Sequence, residues 1–490
     1  MEQGELTLVD RMGNSTVRIA RIEIRQVKNV ERGSIDLENA RNMNRASVLG
    51  MYGQNGSGKT ALIEAIQLLK VVMSGEQIAS DFRHLISVDQ TQAFFCFEFF
   101  VNIENGESYD VFYEFVLEKF VDEKSVDEQP FIFDDLENIS KKTSIRIKDE
   151  KISLRSNKTR KHEIFNSRID DQPFSPLSNL KYITKGKKDL VTSLIAFKKI
   201  ASETARSYFF SSDFINLIKV ENKDSLQETK LSELFILQRM KFFAMTELLV
   251  FSKEASGDIY LHSLPLIFRE DRGHTKYCGI FRFSLRSPNK IPSQVIEIVQ
   301  KLFDQVNMAL EALVPGLNVK MHSLGSTLLN NSERGEIVEF VSVRNNREIA
   351  LRYESEGVKK IVAVLNMLIC AFNNPSVTVA IDELDSGIFE YLLGELLSVF
   401  ANHAFGQLIF TSHNLRPLET IDPSFIGFTT IAPKRRYAKL HGIKATNNLR
   451  GVYYRSIVLG LGDVPLYDET NNTEIEMALR QAGRVQNDIP

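Results

Sequence analysis

Along residues 17–37 apolar and polar side chains alternate, first as Val-Arg-Ile-Ala-Arg-Ile-Glu-Ile-Arg-Gln-Val and then as Gly33-Ser-Ile-Asp-Leu37. A period of two predicts two half-buried strands joined by a turn. The apolar run Val48–Tyr52 predicts a buried strand, and Ala61-Leu-Ile-Glu-Ala-Ile-Gln-Leu-Leu69 a helix after it. Ala93–Val101 and Tyr109–Leu117 are aromatic-rich alternating runs on either side of Glu104-Asn-Gly-Glu107. An Asn-Gly turn between such runs is a hairpin signal. With residues 17–37 it predicts an antiparallel β-layer beside the sheet that contains Val48–Tyr52.

Further along, residues 188–252 and 291–313 read as helices, with apolar positions three and four apart between Leu226 and Phe243. Residues 320–350 return to strand-like alternation, as in Glu336-Ile-Val-Glu-Phe-Val-Ser-Val343. Ile361–Phe372 reads as an apolar helix, and Val377–Ile381 and Leu408–Phe410 as short buried strands. The pattern divides the chain into 1–120, an insertion at 121–320, and 321–490, within the two to four domains that 490 residues predict.

Charge changes the picture only locally. The formal net charge of −3 supplies no whole-chain attraction to nucleic acid or anionic membrane. Asp122–Glu137 is acidic and reads as a loop, whereas Lys141–Lys161 carries nine Lys/Arg against Asp149 and Glu150. That basic stretch reads either as a solvated hairpin face or as a site for nucleic acid or an acidic partner. Three dispersed cysteines, Cys96, Cys278 and Cys370, form neither a disulfide framework nor a zinc pattern, so a reducing, cytoplasmic setting is expected. No apolar run approaches the ~18 residues of a membrane span, so no membrane partner is expected.

The chemistry concentrates at Gly53-Gln54-Asn55-Gly56-Ser57-Gly58-Lys59-Thr60, a complete G-x-x-x-x-G-K-[ST] loop between the strand and the helix that the pattern predicts. Its glycines let backbone N–H groups turn inward onto a phosphate, and the helix N-terminus adds partial positive charge there. Lys59 would reach the β- and γ-phosphates of a nucleoside triphosphate, and Thr60 would offer its hydroxyl to Mg²⁺. The strand at 377–381 runs into Asp382 and Glu383: the first suits Mg²⁺, the second a general base for the attacking water. Thr411-Ser412-His413 ends the next strand, where His413 would contact the γ-phosphate. Ser355 and Gly357 open the helix before the acidic strand, an anion-binding arrangement of exposed N–H groups and a hydroxyl.

The loop at 53–60, Ser-x-Gly at 355–357, Asp382-Glu383 and Ser412-His413 occur in the order found in ABC-type ATPases, which the chain resembles over roughly 17–118 and 330–465. More narrowly it resembles the SMC-like and OLD-like AAA ATPases of bacterial anti-phage systems. Ser-x-Gly-x-Lys-Lys is similar to their reduced signature motif, and Leu449–Pro465, with Tyr453, Tyr454, Gly460 and Gly462, to their C-terminal ending. Among these systems it looks most like the ATPase subunit of the PARIS system, with the Septu ATPase a neighbour. The resemblance implies an α/β fold: an ABC-type head, its P-loop sheet flanked by an antiparallel β-layer and interrupted by a mainly helical insertion. It implies ATP and Mg²⁺ as cofactors and a head-to-tail dimer or higher oligomer, with Ser355 and Gly357 of one copy over Lys59 of the other. It also implies a scaffold that holds an effector from the same operon until a phage-encoded trigger is sensed. Glu356 stands where transporters carry glycine, which predicts slow hydrolysis; for the glutamine switch, Gln92 is the candidate. A repair-type, SMC-like or nuclease-associated ATPase acting directly on nucleic acid is the alternative. The 77 residues after His413 hold no Asp-x-Asp nuclease motif, and the insertion lacks sustained heptads.

Overall fold

The computed structural model describes residues 7–10, 15–103, 106–121, 143–157, 159–168, 172–221, 228–252, 263–272, 275–329, 333–345, 347–439, 449–459, 465–467 and 471–485. The acidic segment 122–137, Glu104 and Asn105 of the hairpin turn, Lys141, Lys142, Lys158, Gly460 and Gly462 lie outside the described residues.

Ser47–Tyr52, the strand before the phosphate loop, runs inside a six-stranded sheet. The strand order is Tyr437–Lys439, Ile426–Thr429, Ser47–Tyr52, Gln407–Thr411, Thr378–Ile381, Leu248–Phe251. All neighbours are parallel except the first pair. Its inner strands are buried on both faces, as a parallel sheet requires. Alternate residues feed two cores. Leu49, Met51, Ala380 and Ile409 face the phosphate-loop helix Lys59–Ser74 and the antiparallel layer, while Val48, Tyr52, Val379, Ile381, Leu408 and Phe410 face the helices Glu356–Asn373 and Glu390–His403.

The antiparallel layer is a second six-stranded sheet, in the order Val30–Asp36, Thr16–Val27, Gln92–Asn102, Ser108–Val121, Thr143–Ser156, His162–Asn166. Polar side chains fasten it to the first. Gln407 accepts from Ile19 N at 2.7 Å and donates to Ile19 O at 2.8 Å, and the buried guanidinium of Arg18 donates to carbonyls including Pro375 O at 2.8 Å and Asn42 O at 2.7 Å.

The segment 121–320 holds the helices Leu177–Thr184, Lys188–Glu203, Ser212–Glu221, Glu228–Thr246 and Ser293–Leu313, and it supplies strands to both sheets as well. Thr143–Ser156 and His162–Asn166 extend the antiparallel layer. Leu248–Phe251, expected to be helical, is instead an edge strand of the nucleotide sheet. Its apolar run follows the preceding helix with only Glu247 between, so the sequence carries no glycine or proline to mark the change.

The basic hairpin is largely neutralised within its own sheet. Arg146 and Lys148 pair with Glu118, Arg155 with Asp110, Lys161 with Glu114 and Lys151 with Glu163. Arg155 and Lys161 also stand over the ring of Phe112. Cross-strand ion pairs and cation–π contacts, rather than a free positive patch, therefore account for most of the described charge. Among the described residues no helix is long and apolar enough to cross a membrane.

Candidate nucleotide site

The phosphate loop leaves its strand at Gly53 and enters its helix at Gly58. Both have positive φ, +152° and +96°, and Gly56 lies at +73°. A Cβ at Gly53 would collide with the Thr429 hydroxyl, and one at Gly58 would meet Val30 at 2.7 Å, so glycine is required by space as well as by backbone. The loop is braced from outside and from within. Tyr437 Oη donates to Gly58 O at 2.9 Å, Asn29 donates to Gly56 O, and Ser57 Oγ donates to Gln54 O at 2.6 Å. The 16-residue helix that follows has no side-chain cap on its first N–H groups, which leaves them for an anion. Lys59 is 6% exposed, and its ammonium donates to Gly53 O at 2.7 Å and Gln54 O at 2.9 Å, inside the curve of the loop. Burial pulls its pKa below the ordinary lysine value, opposed by Asp382, Glu383 and Asp385.

Two strands away, Asp382 follows Ile381 at the same sheet edge. Its Oδ1 accepts from Thr411 Oγ1 at 2.6 Å and lies 3.4 Å from Thr60 Oγ1. Glu383 turns off the strand with φ +47°, a strained value for a residue with a side chain. Three contacts hold it there: its N–H donates to Thr411 Oγ1 at 2.7 Å, Leu384 N donates to Thr411 O at 2.9 Å, and Lys360 Nζ donates to Glu383 O. Lys59, Thr60, Asp382 and Glu383, spread over more than three hundred residues of sequence, thus share one edge of the sheet.

His413 lies in the loop after Gln407–Thr411, exposed at the surface. Partial burial and then the charge of Lys59 hold its imidazole below the ordinary pKa of 6.5, against the carboxylates of Asp385, Glu383 and Asp382. It is neutral at pH 7. Ser355 caps the helix Glu356–Asn373 by accepting from Val358 N at 3.3 Å, and both Ser355 and Glu356 are exposed. Gly357 packs backbone-to-backbone against Gly387, where a Cβ would strike the Gly387 carbonyl. Gln92 is committed elsewhere: its amide donates to Glu118 at 2.6 Å in the antiparallel layer, so the structure does not support it as a switch glutamine.

Thr411, Lys360 and Asp385 are parts of the site that motif reading missed. Only the Lys-Lys after Ser-x-Gly and the Thr before Ser-His were signals for the first two.

The donor set fits Mg²⁺ in one mode. Thr60 and Asp382 offer hard oxygen ligands, and no group of three or more His, Cys, Asp or Glu capable of holding a metal occurs among the described residues. Such a site would hold the ion through one carboxylate and a hydroxyl, with waters and substrate phosphates completing its shell.

Residues 48–419 match the family model described as "AAA domain, putative AbiEii toxin, Type IV TA system". The chain belongs to that AAA-domain family. A comparison with curated proteins returns no match. Among solved structures the chain is similar to the Smc head domain with a coiled coil and joint from Pyrococcus yayanosii, at 11% identity and TM-score 0.38 over 89% of this chain and 100% of that one. It is similar also to the SMC head domain from Thermotoga maritima, at 13% identity and TM-score 0.33 over 86% and 99%. The recombination mediator RecF bound to ATP is another, at 12% identity and TM-score 0.34 over 87% and 100%.

Proposed function

We propose that this AAA-family chain binds ATP with Mg²⁺ on the loop Gly53–Thr60 and hydrolyses it, as the ATPase subunit of an anti-phage defence system. The observation that carries the ATPase reading is the single sheet edge shared by Lys59, Thr60, Asp382, Thr411 and Glu383. Loop N–H groups and the helix N-terminus hold the phosphates, and Lys59 moves from the Gly53 and Gln54 carbonyls onto the β- and γ-oxygens. Mg²⁺, when held by Thr60 and Asp382, supplies charge neutralisation on those oxygens. Glu383 takes the proton of the attacking water, and His413 donates a hydrogen bond to the γ-phosphate.

Two exposed residues, Ser355 and Glu356, open the signature helix and support a head-to-tail assembly in which this tip meets a second copy's phosphate loop. Glu356 then brings a carboxylate toward the triphosphate, and hydrolysis is slow. The family description, with its toxin and toxin–antitoxin terms, supports a defence role. In that role the assembly holds a separate effector, a nuclease from the same operon, and releases it when a phage product is sensed, as the resemblance to the PARIS and Septu ATPases implies. The ion pairs of Arg146, Lys148, Arg155 and Lys161 weigh against direct action on nucleic acid through those four residues.

The test is the mass of the purified protein with and without ATP·Mg²⁺, using Glu383→Gln. A nucleotide-stabilised oligomer that carries a co-expressed operon protein is the expected result. A chain that binds no ATP, or whose Lys59→Ala variant binds ATP as tightly as wild type, overturns the site. An ATP-bound monomer with no partner overturns the scaffold role alone.

A further inference from the structure

Ser412 to Leu415, the loop that presents His413, has no helix or strand of its own. What gives it a fixed place is a side chain from another strand. The backbone N–H groups of His413 and Asn414 both donate to Asp385 Oδ2, each at 3.0 Å. Asp385 stands three residues beyond Asp382, in the turn that Ser386 N closes on Glu383 O at 3.0 Å. One carboxylate oxygen therefore ties the histidine loop to the turn that carries Glu383. Hydrogen bonds to an ionised acceptor are stronger than neutral ones, and two successive donors on one oxygen fix the direction of the loop as well as its distance. The loop's other hydrogen bonds do different work. Ser412 N donates to Met51 O at 3.2 Å and anchors the strand end, while Asn414 N to Ser412 Oγ at 3.0 Å and Arg416 N to Asn414 Oδ1 at 2.8 Å are internal to the segment. The second oxygen, Asp385 Oδ1, is buried and makes no hydrogen bond among the described residues, so the Oδ2 bonds to the histidine loop are the main visible use of this carboxylate.

We propose that Asp385 is a positioning residue that sets His413 against Glu383, so that the phosphate contact and the general base move as one unit. The inference rests on the ATPase reading above. Asp385 acts through the two backbone donors, and any displacement of the turn after Asp382 is passed directly to the histidine. The close approach of Gly387 to Gly357 puts the tip of the signature helix against the same turn.

Two measurements on the full-length protein test this. The first is amide hydrogen exchange at His413 and Asn414 without nucleotide. Asp385→Ala should speed exchange there by about tenfold, the effect of a lost hydrogen bond, while Asp385→Asn, which keeps an acceptor oxygen, should stay near wild type. The second is steady-state ATP turnover. Asp385→Ala should lower kcat about tenfold with KM for ATP within about twofold of wild type, and Asp385→Asn should recover most of the loss. The double variant Asp385→Ala/His413→Ala should be no slower than His413→Ala alone, because the first residue acts only through the second. Should Asp385→Ala fail to fold, Asp385→Glu takes its place, since one added methylene displaces the acceptor. Unchanged exchange, equal loss in kcat and nucleotide affinity, or multiplicative losses in the double variant overturns the inference while leaving the ATPase reading intact. A wild-type chain that neither binds nor hydrolyses ATP overturns both.

Discussion

The hydroxyl of Thr411 donates to Asp382 Oδ1 at 2.6 Å, across two strands that run parallel and in register. Thr411 Oγ1 in turn accepts the backbone N–H of Glu383 at 2.7 Å. One threonine therefore orients together the Asp382 carboxylate, proposed to hold Mg²⁺, and the turn that carries Glu383, the proposed general base. Donating to Asp382 uses its only proton, and its lone pairs receive Glu383, so the hydroxyl is engaged in both roles.

Replacing that threonine with the near-isosteric valine removes both bonds and leaves a buried carboxylate short of a donor. Thr411→Val is expected to lower kcat by roughly 10- to 100-fold and to raise the Mg²⁺ concentration needed for half-maximal turnover. ATP binding without metal should change little, because Lys59 and the loop are untouched. Turnover measured against Mg²⁺ concentration checks this; an unaltered Mg²⁺ dependence would separate Thr411 from the metal site.

The state of His413 sets a pH dependence. Partial burial and Lys59 hold its pKa below 6.5, so the imidazole of the free protein stays neutral down through pH 7 and gains its proton only at more acidic pH. Any inflection that His413 contributes to the acid limb of kcat/KM, which reports the free enzyme, should accordingly lie below pH 6.5. His413→Gln cannot charge and should lose that inflection while retaining a hydrogen-bond donor. A limb centred above 6.5, or one unchanged in the glutamine variant, would assign the titration to another group.

Much of the candidate site was legible because each of its motifs is contiguous in sequence, although the motifs themselves lie far apart. The phosphate loop needs its glycines, lysine and threonine in consecutive turns, and Asp382-Glu383 closes a strand whose apolar run is plain to read. Thr411, Lys360 and Asp385 were not legible as site residues, because each works on a partner 23 to 29 residues away that only the fold brings near. The strand Leu248–Phe251 was hidden for another reason. Four apolar residues beside a helix have no period of their own, and only pairing with Thr378–Ile381 decides their conformation. Net charge over 141–161 read as a basic stretch because its counter-charges sit on other strands, at Glu98, Asp110, Glu114 and Glu118.

That pairing makes its own prediction. Arg155 and Lys161 are about half exposed, and each combines an ion pair with a place over Phe112. Arg155→Ala/Lys161→Ala should cost only about 1 kcal/mol of stability, as surface pairs do. Retention of single-stranded DNA at low salt should not change, which a salt titration of binding would show. A drop in affinity with a flatter salt slope would instead make this face a nucleic-acid site.

Arg239 links the helix Glu228–Thr246 to the six-stranded sheet that contains Asp382's strand. Only 1% exposed, it donates to Ser15 Oγ at 2.8 Å, Ser15 O at 2.9 Å, Ser376 Oγ at 2.7 Å and Glu247 Oε2 at 2.6 Å. Ser376 lies just before the Asp382 strand, and Glu247 just before the edge strand that pairs with it; Asp382 N in turn donates to Phe251 O at 2.8 Å. Arg239→Met conserves bulk but deprives the buried Glu247 carboxylate of the Arg239 charge. The expected loss is about 3–5 kcal/mol, read as a lower denaturant midpoint with an unchanged slope. Replacing the pair together, as Arg239→Met/Glu247→Gln, removes the stranded charge and should recover a large part of that loss. If the double variant is as unstable as the single one, the arginine's bonds to Ser15 and Ser376, rather than the ion pair, hold the insertion to the sheet.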